Sequence, residues 1–169
     1  MSSIILIGFM GAGKSTIGRR LARRLSKELI DLDAQIVEAI HMPIADYFDQ
    51  FGEAAFREQE TAILAELATK DGILATGGGI VLRPENRTLL KQQPAVIYLT
   101  ADTQILIERI QQDTENIRPL AENKQPAEIA AILDQRIAFY EESAGHILDT
   151  TNKTPEEIVS EIIERLGDL

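Results

Sequence analysis

Five short apolar runs recur along the chain, at Ile4 to Ile7, Leu29 to Leu32, Ile73 to Ala75, Ala95 to Leu99 and His146 to Leu148. Near-continuous runs of this length predict strands buried on both faces. Between them the apolar period lengthens to that of a helix. Ile17, Leu21 and Leu25 share one helical face, as do Phe56, Glu60, Ile63, Leu64 and Leu67, and as do Ile129, Ile132, Leu133 and Ile137. Each stripe can cover one face of a sheet, and strands alternating with amphipathic helices predict an α/β domain built on a parallel sheet. A last helix is expected to open with a capping box at Thr154, Pro155 and Glu157 and to turn Ile158, Ile162 and Leu166 inward. Two segments fall outside this alternation: Asp33 to roughly Thr61, expected to hold two short helices, and the polar stretch Asp113 to Lys124. Both are expected to lie over the functional edge of the sheet.

Composition narrows the picture. With 169 residues, 44% of them hydrophobic, the chain has room for one domain with a well-buried core. Its 17 basic and 27 acidic residues leave a net charge of -10, which repels nucleic acid and anionic membranes. Arg19, Arg20, Arg23 and Arg24 make no compensating patch, since they fall on the polar side of one helix. No cysteine is present, which removes disulfides, thiol nucleophiles and thiolate metal sites, and fits a reducing compartment. Cytoplasm is the expected location. The run Ile4 to Ile7 is too short for a signal-peptide core or a membrane span, so a soluble, unprocessed protein is expected. His41 and His146 lack metal-ligand spacing and read as structural.

The chemistry begins directly after the first predicted strand. GFMGAGKS, Gly8 to Ser15, satisfies G-x-x-x-x-G-K-[ST] in the strand-then-helix context that the phosphate-binding loop requires. Glycines let successive backbone N–H groups turn toward phosphate oxygens, and the N-terminus of a helix beginning near Lys14 adds partial positive charge. Lys14 is placed to reach the β and γ oxygens, and Ser15 to ligate Mg²⁺. A glycine-rich βα turn without ligand would need neither Lys14 nor Ser15, so an ATP or GTP site is expected.

Asp31 and Asp33 end the second apolar run one residue apart. Ligands of open parallel sheets gather at the carboxyl ends of the strands, and residues two apart on a strand face the same way. Two carboxylates there can divide two tasks, one toward the metal and one toward an alcohol that accepts a phosphoryl group. The bland alternative makes Asp33 the N-cap of a helix starting at Ala34 and Asp31 a solvated strand end. Arg57, taken alone, reads as a salt-bridging partner of Glu53 or Glu60. Gly77, Gly78 and Gly79 follow a strand, and three in succession suit close backbone approach to a ligand better than a flexible turn does.

In chain order, GFMGAGKST, the pair Asp31 and Asp33, FRE at Phe56 to Glu58, TGGG at Thr76 to Gly79, RPL at Arg118 to Leu120 and the spacing of Arg136 and Tyr140 resemble the shikimate kinases. The resemblance covers essentially the whole chain, and the combination of motifs is far more specific than the phosphate loop alone. It implies a nucleoside-monophosphate-kinase-like, three-layer αβα fold. A five-stranded parallel sheet would carry the P-loop, with a small helical substrate-binding subdomain at about residues 33–61 and a lid at about residues 112–124. It implies transfer of the ATP γ-phosphoryl group to the 3-hydroxyl of shikimate, a step of aromatic amino acid biosynthesis, by a monomer acting on small molecules.

By the same resemblance Gly11, Ala12, Gly13, Lys14, Ser15 and Thr16 hold the nucleotide, joined by Asn152 and Lys153 in an adenine loop spanning Thr150 to Pro155. Ser15 and Asp31 hold Mg²⁺, with Asp31 acting through water. Asp33 orients the acceptor hydroxyl, Arg57 and Arg136 bind the shikimate carboxylate, and Gly77 to Gly79 complete the acceptor pocket. Arg118, on the lid, joins Lys14 in offsetting charge on the transferred group. Phe48 and Phe56 are candidates for an apolar wall, which core packing explains equally well.

The chain departs from the family pattern in a longer stretch between Arg109 and Arg118, in Ala121 after RPL and in Ala138 before Tyr140. Contact between Arg109 and adenine is therefore left open. Two alternatives remain: a related small-molecule kinase acting on gluconate or a nucleoside monophosphate, and a catalytically silent nucleotide-binding module. The set of Arg57, three glycines and Arg136 argues against the first. Joint retention of Lys14, Ser15, Asp31 and Asp33 argues against the second.

Overall fold

A computed structural model describes residues 3–112 and 125–167. The expected lid, including Arg118, lies outside the described residues. The elements run β1 (Ile4–Ile7), α1 (Lys14–Leu25), β2 (Leu29–Asp31), α2 (Leu32–Ile40), α3 (Ile44–Leu67), β3 (Ile73–Ala75), α4 (Pro84–Lys91), β4 (Val96–Thr100), α5 (Thr103–Gln112), α6 (Pro126–Ser143), β5 (His146–Asp149) and α7 (Pro155–Leu166). All five expected strands form, within a residue of their apolar runs.

The strands make one parallel sheet in the order β2-β3-β1-β4-β5. Residues Ile4 to Ile7, Leu74, Ile97 and Leu99 are almost wholly buried, as a sheet covered on both faces demands. Helices α1 and α7 pack together in one layer, and α6 packs on α4, α5 and β4 in another. Register carries the functional ends level: Leu6 pairs with Ala75, Asp31 also pairs with Ala75, and Thr100 pairs with Asp149. Strand β1 is central, so the loop leaving it has the ends of β3 and β2 on one side and those of β4 and β5 on the other. This is the crevice where open α/β sheets place ligands.

The segment from Asp33 to Thr61 differs from the two short helices expected. Helix α2 is followed by the long α3, which is broken at Gly52, whose φ of 87° and ψ of 168° no other residue type adopts easily. At Thr154 the hydroxyl accepts from the Glu157 N–H at 3.2 Å, while the Glu157 carboxylate meets that hydroxyl rather than the Thr154 N–H. The expected box is thus half formed. His41 closes α2 in a left-handed conformation, and His146 starts β5.

Candidate active site

Gly13, at φ 90°, is the left-handed N-cap of α1, and the helix begins at Lys14. Gly11, at φ 79°, abuts the carbonyl of Leu106, where an added Cβ would come within 3.0 Å. The loop thereby wraps a cavity of about 460 Å³ whose wall includes Gly11 to Thr16, the six loop residues among those expected to hold nucleotide. Lys14 Nζ donates to the carbonyls of Gly8 at 2.5 Å and Phe9 at 2.9 Å, folded over the loop it serves.

The far wall comes from the β5–α7 turn. Thr150 donates through N–H and hydroxyl to the Thr100 carbonyl at 2.7 and 3.0 Å, and Asp102 N–H donates to the Thr151 hydroxyl at 3.0 Å. Asp149 accepts from the hydroxyl and N–H of Thr151, which hold its carboxyl below the usual carboxylate range. Thr150 and Lys153 line the cavity, whereas Asn152 is exposed at the tip of the turn and stays off the wall. Lys153 is tied to Glu161 at 2.6 Å. Arg109, left open by its sequence context, donates to the Gly11 carbonyl at 3.3 Å and lines the cavity, so α5 reaches the nucleotide side despite the long stretch after it.

Across the loop, on the β2–β3 side, a second group of side chains converges. Strand β2 stops at Asp31 because the Asp31 side chain accepts the Ala34 N–H at 3.2 Å and caps α2. The two carboxylates therefore do not stand side by side on a strand: Asp31 is the cap, the role the bland reading assigned to Asp33, and Asp33 lies in the first helical turn. Burial first, and then the charge of Asp31, push the Asp33 carboxyl above its usual range, while Lys14 and Arg57 oppose the shift. Asp33 thus feels both the phosphate-loop lysine and the arginine of α3.

The glycine triplet closes this group. None of the three has positive φ, so absence of a side chain rather than backbone freedom is what the position requires. A Cβ on Gly77 would come within 3.0 Å of the Asp33 carboxylate. On Gly79 it would meet the Arg57 guanidinium at 2.5 Å, and on Gly78 it would lie 3.6 Å from Arg136 Nη1. Asp33, Arg57 and Arg136, drawn from α2, α3 and α6, are thus gathered around one backbone segment.

Arg57 pairs with Glu60 at 2.9 Å and with Glu53 at 3.5 Å, so the ion pairing read from the helix spacing is present. Glu60 is 1% exposed, and burial pushes its carboxyl upward against the pull of Arg57. Its sequence signal was a carboxylate set within the apolar stripe of α3, a placement that demands a buried cation. Arg83 donates to the Arg57 carbonyl at 3.2 Å and the Thr61 hydroxyl at 3.0 Å, fixing α3 to the segment after the glycines. Arg136 is 6% exposed, and its Nη1 is buried without a hydrogen-bond partner among the described residues. A buried guanidinium nitrogen in that condition suits an anionic ligand. Phe48 and Phe56 pack on each other at 4.8 Å, with Phe56 buried in the core.

The Ser15 hydroxyl and the Asp31 oxygen not used in capping are hard donors that fit Mg²⁺. Among the described residues no cluster of three or more His, Cys, Asp or Glu could hold a metal.

A phosphate loop at the central strand, beside a cluster in which Arg57 and Arg136 stand among Asp33 and Glu60, defines a P-loop phosphotransferase with a small anionic acceptor. Sequence comparison narrows this class. The family profile described as Shikimate kinase matches residues 10–167. The chain is 54% identical to the shikimate kinase of Enterococcus faecalis over 168 residues, covering 99% of this chain and 100% of that one. It is 46% identical to that of Lactococcus lactis, covering 98% of each. The chain belongs to the shikimate kinase family.

Solved structures agree. Shikimate kinase from Acinetobacter baumannii in complex with shikimate superposes with a TM-score of 0.89 at 33% identity, covering 98% of this chain and 93% of that one. A gluconokinase from Sinorhizobium meliloti gives a TM-score of 0.63 at 19% identity, covering 98% and 91%, a likeness of fold alone.

Proposed function

We propose that this chain transfers the γ-phosphoryl group of ATP to the 3-hydroxyl of shikimate, as a single kinase domain spanning residues 1–169. The observation that carries this reading is the gathering of Asp33, Arg57 and Arg136 around Gly77 to Gly79. Family membership and the bound shikimate named for the Acinetobacter enzyme support the same substrate.

Arg57 and Arg136 bind the acceptor carboxylate through paired N–H donors, which lysine cannot reproduce. Asp33 accepts a hydrogen bond from the 3-hydroxyl and aims its oxygen along the line of attack. Its raised pKa makes it a better base than an ordinary aspartate, yet positioning remains the larger contribution in a loose transition state. The hydroxyl oxygen forms a bond to the γ-phosphorus as the bond to the β–γ bridging oxygen breaks, and the proton passes to Asp33 late. Lys14 leaves the carbonyls of Gly8 and Phe9 for the β and γ oxygens. Gly11 to Thr16 supply backbone donors, and Arg109, Thr150 and Lys153 border the remainder of the nucleotide. Mg²⁺ held by Ser15 and Asp31 would neutralise phosphate charge. Arg118 is assigned to the transferred group, and Asn152 to the adenine side beside Lys153, on the family resemblance alone.

A cysteine-free acidic chain fits a monomer working in the cytoplasm beside its ATP supply. No helix among the described residues is long and apolar enough to cross a membrane. The test is ADP release with a panel of acceptors, namely shikimate, gluconate and nucleoside monophosphates. Release with shikimate alone is expected; equal release with gluconate, or none with any acceptor, would reject the reading.

A further inference from the structure

Tyr140 belongs to the spacing that helped mark the family, and the reaction described above gives it no task. It follows Arg136 by four residues on α6, so both point to the same side of the helix. Tyr140 is 0% exposed, and its ring stacks on Tyr98 with centroids 5.0 Å apart. A phenylalanine would pack there without a polar atom to satisfy, since a buried hydroxyl stabilises a fold only when it finds a partner. Here the Tyr140 hydroxyl donates to the carbonyl of Gly78, the middle glycine of the triplet.

Arg136 lies against the same glycine, with its guanidinium beside the Tyr140 hydroxyl. Its Nη1 is 3.6 Å from the point a Cβ on Gly78 would occupy, and the same nitrogen is buried without a hydrogen-bond partner among the described residues. The phenol is buried beside the Arg136 charge, and burial keeps its pKa well above the usual tyrosine value, so it remains a neutral donor throughout the working range. Tyr98 sits on β4, between Ile97 and Leu99 in the sheet core, which makes the stacking partner immobile. One hydroxyl anchored to the sheet therefore determines where Gly78 lies relative to Arg136.

We propose that Tyr140 is a positioning residue for the acceptor carboxylate, holding the glycine segment at the distance from Arg136 that admits one carboxylate. The proposal rests on assigning that carboxylate to Arg136, and the test separates the two. Removing the hydroxyl in Tyr140→Phe keeps the ring on Tyr98. The KM for shikimate should rise about tenfold, with the KM for ATP and kcat within about twofold of wild type. With the methyl ester of shikimate, which carries no charge for Arg136 to bind, Tyr140→Phe and wild type should have the same KM.

An unchanged shikimate KM, an equal rise for acid and ester, or a parallel rise in the ATP KM would each overturn the proposal. Arg136→Gln tests the underlying assignment. If it raises the KM for shikimate but not for the ester while Tyr140→Phe does neither, the positioning role fails and the carboxylate site stands. If Arg136→Gln treats acid and ester alike, both fall. Should Tyr140→Phe not fold, wild-type protein carrying tyrosine labelled with carbon-13 at Cζ gives the answer. The Tyr140 signal should move on addition of shikimate and stay in place with the ester, and an unmoved signal in both cases overturns the proposal.

Discussion

Asp33 is where catalysis and stability oppose each other. Burial and the neighbouring Asp31 raise its folded-state pKa, so the folded protein binds its proton more tightly than the unfolded chain does. Stability from this group is complete below the ordinary aspartate pKa and is lost as pH rises through the folded value. Above that folded value the ionised carboxylate weakens the fold, a cost consistent with the role proposed for it in the reaction. Asp33→Asn is expected to lower kcat by about 100-fold or more while leaving the ATP KM near wild type. Its thermal midpoint at pH 7 should equal or exceed that of wild type, with the advantage shrinking toward pH 4. Steady-state kinetics and melting curves across pH check both halves. Wild-type turnover, or a lowered midpoint at neutral pH, would contradict the assignment.

The glycine segment works as an element because helices close on it from several sides. Asn86, wholly buried on α4, donates to the Ile80 carbonyl at 2.9 Å and pins the segment from behind. Arg57 is held in front by Glu60, so a methyl group at position 79 has no free space to enter. Because the clashing atoms end a side chain rather than belong to backbone, the guanidinium yields before the fold does. Gly79→Ala should raise the shikimate KM about tenfold or more and leave the ATP KM unchanged, with the melting point within a few degrees of wild type. A parallel rise in both constants would place the damage outside the acceptor pocket. The outcome at Gly8 differs in kind, since a Cβ there would meet the backbone carbonyl of Leu99 at 2.5 Å and strain the sheet itself.

Over the whole molecule, the strand order separates the two substrates. Strands β4 and β5 lead into the nucleotide wall, β2 and β3 into the acceptor pocket, and β1 feeds the phosphate loop between them. In a chain of net charge -10, Lys14, Arg109 and Lys153 stand around one cavity and Arg57 and Arg136 around the glycine segment, the local positive charge that the proposed binding of two anions requires. The Mg²⁺ proposed for Ser15 and Asp31 is expected to arrive with the nucleotide, since this ion is usually held by one or two protein oxygens together with substrate phosphates. Removal of Mg²⁺ with EDTA should abolish turnover and leave the melting point of the ligand-free protein unchanged. Restoring Mg²⁺ should return full activity. A drop in melting point on chelation would reveal a structural metal and refute this view.

Much of this was legible in the chain because the governing interactions are local. Strand–helix alternation is a matter of periodicity over a few residues, and Gly8 to Ser15 form one contiguous loop whose backbone holds phosphate wherever a strand feeds a helix. Asp33, Arg57, the glycines and Arg136 could be named one by one from family motifs. Their convergence could not be read from spacing, because the approach of side chains from α2, α3 and α6 to the glycine segment after β3 creates it. Even the local geometry of Asp31 and Asp33 escaped pattern reading, since a single cap hydrogen bond to Ala34 ends the strand at Asp31 and puts Asp33 in the helix. Arg109 meets Gly11 across 98 residues and Tyr140 meets Gly78 across 62. Sequence periodicity by itself determined the layers and the phosphate loop. Only the tertiary structure decided which charges share a pocket, because burial and long-range pairing, not neighbours in the chain, govern where a charged side chain finds its partner.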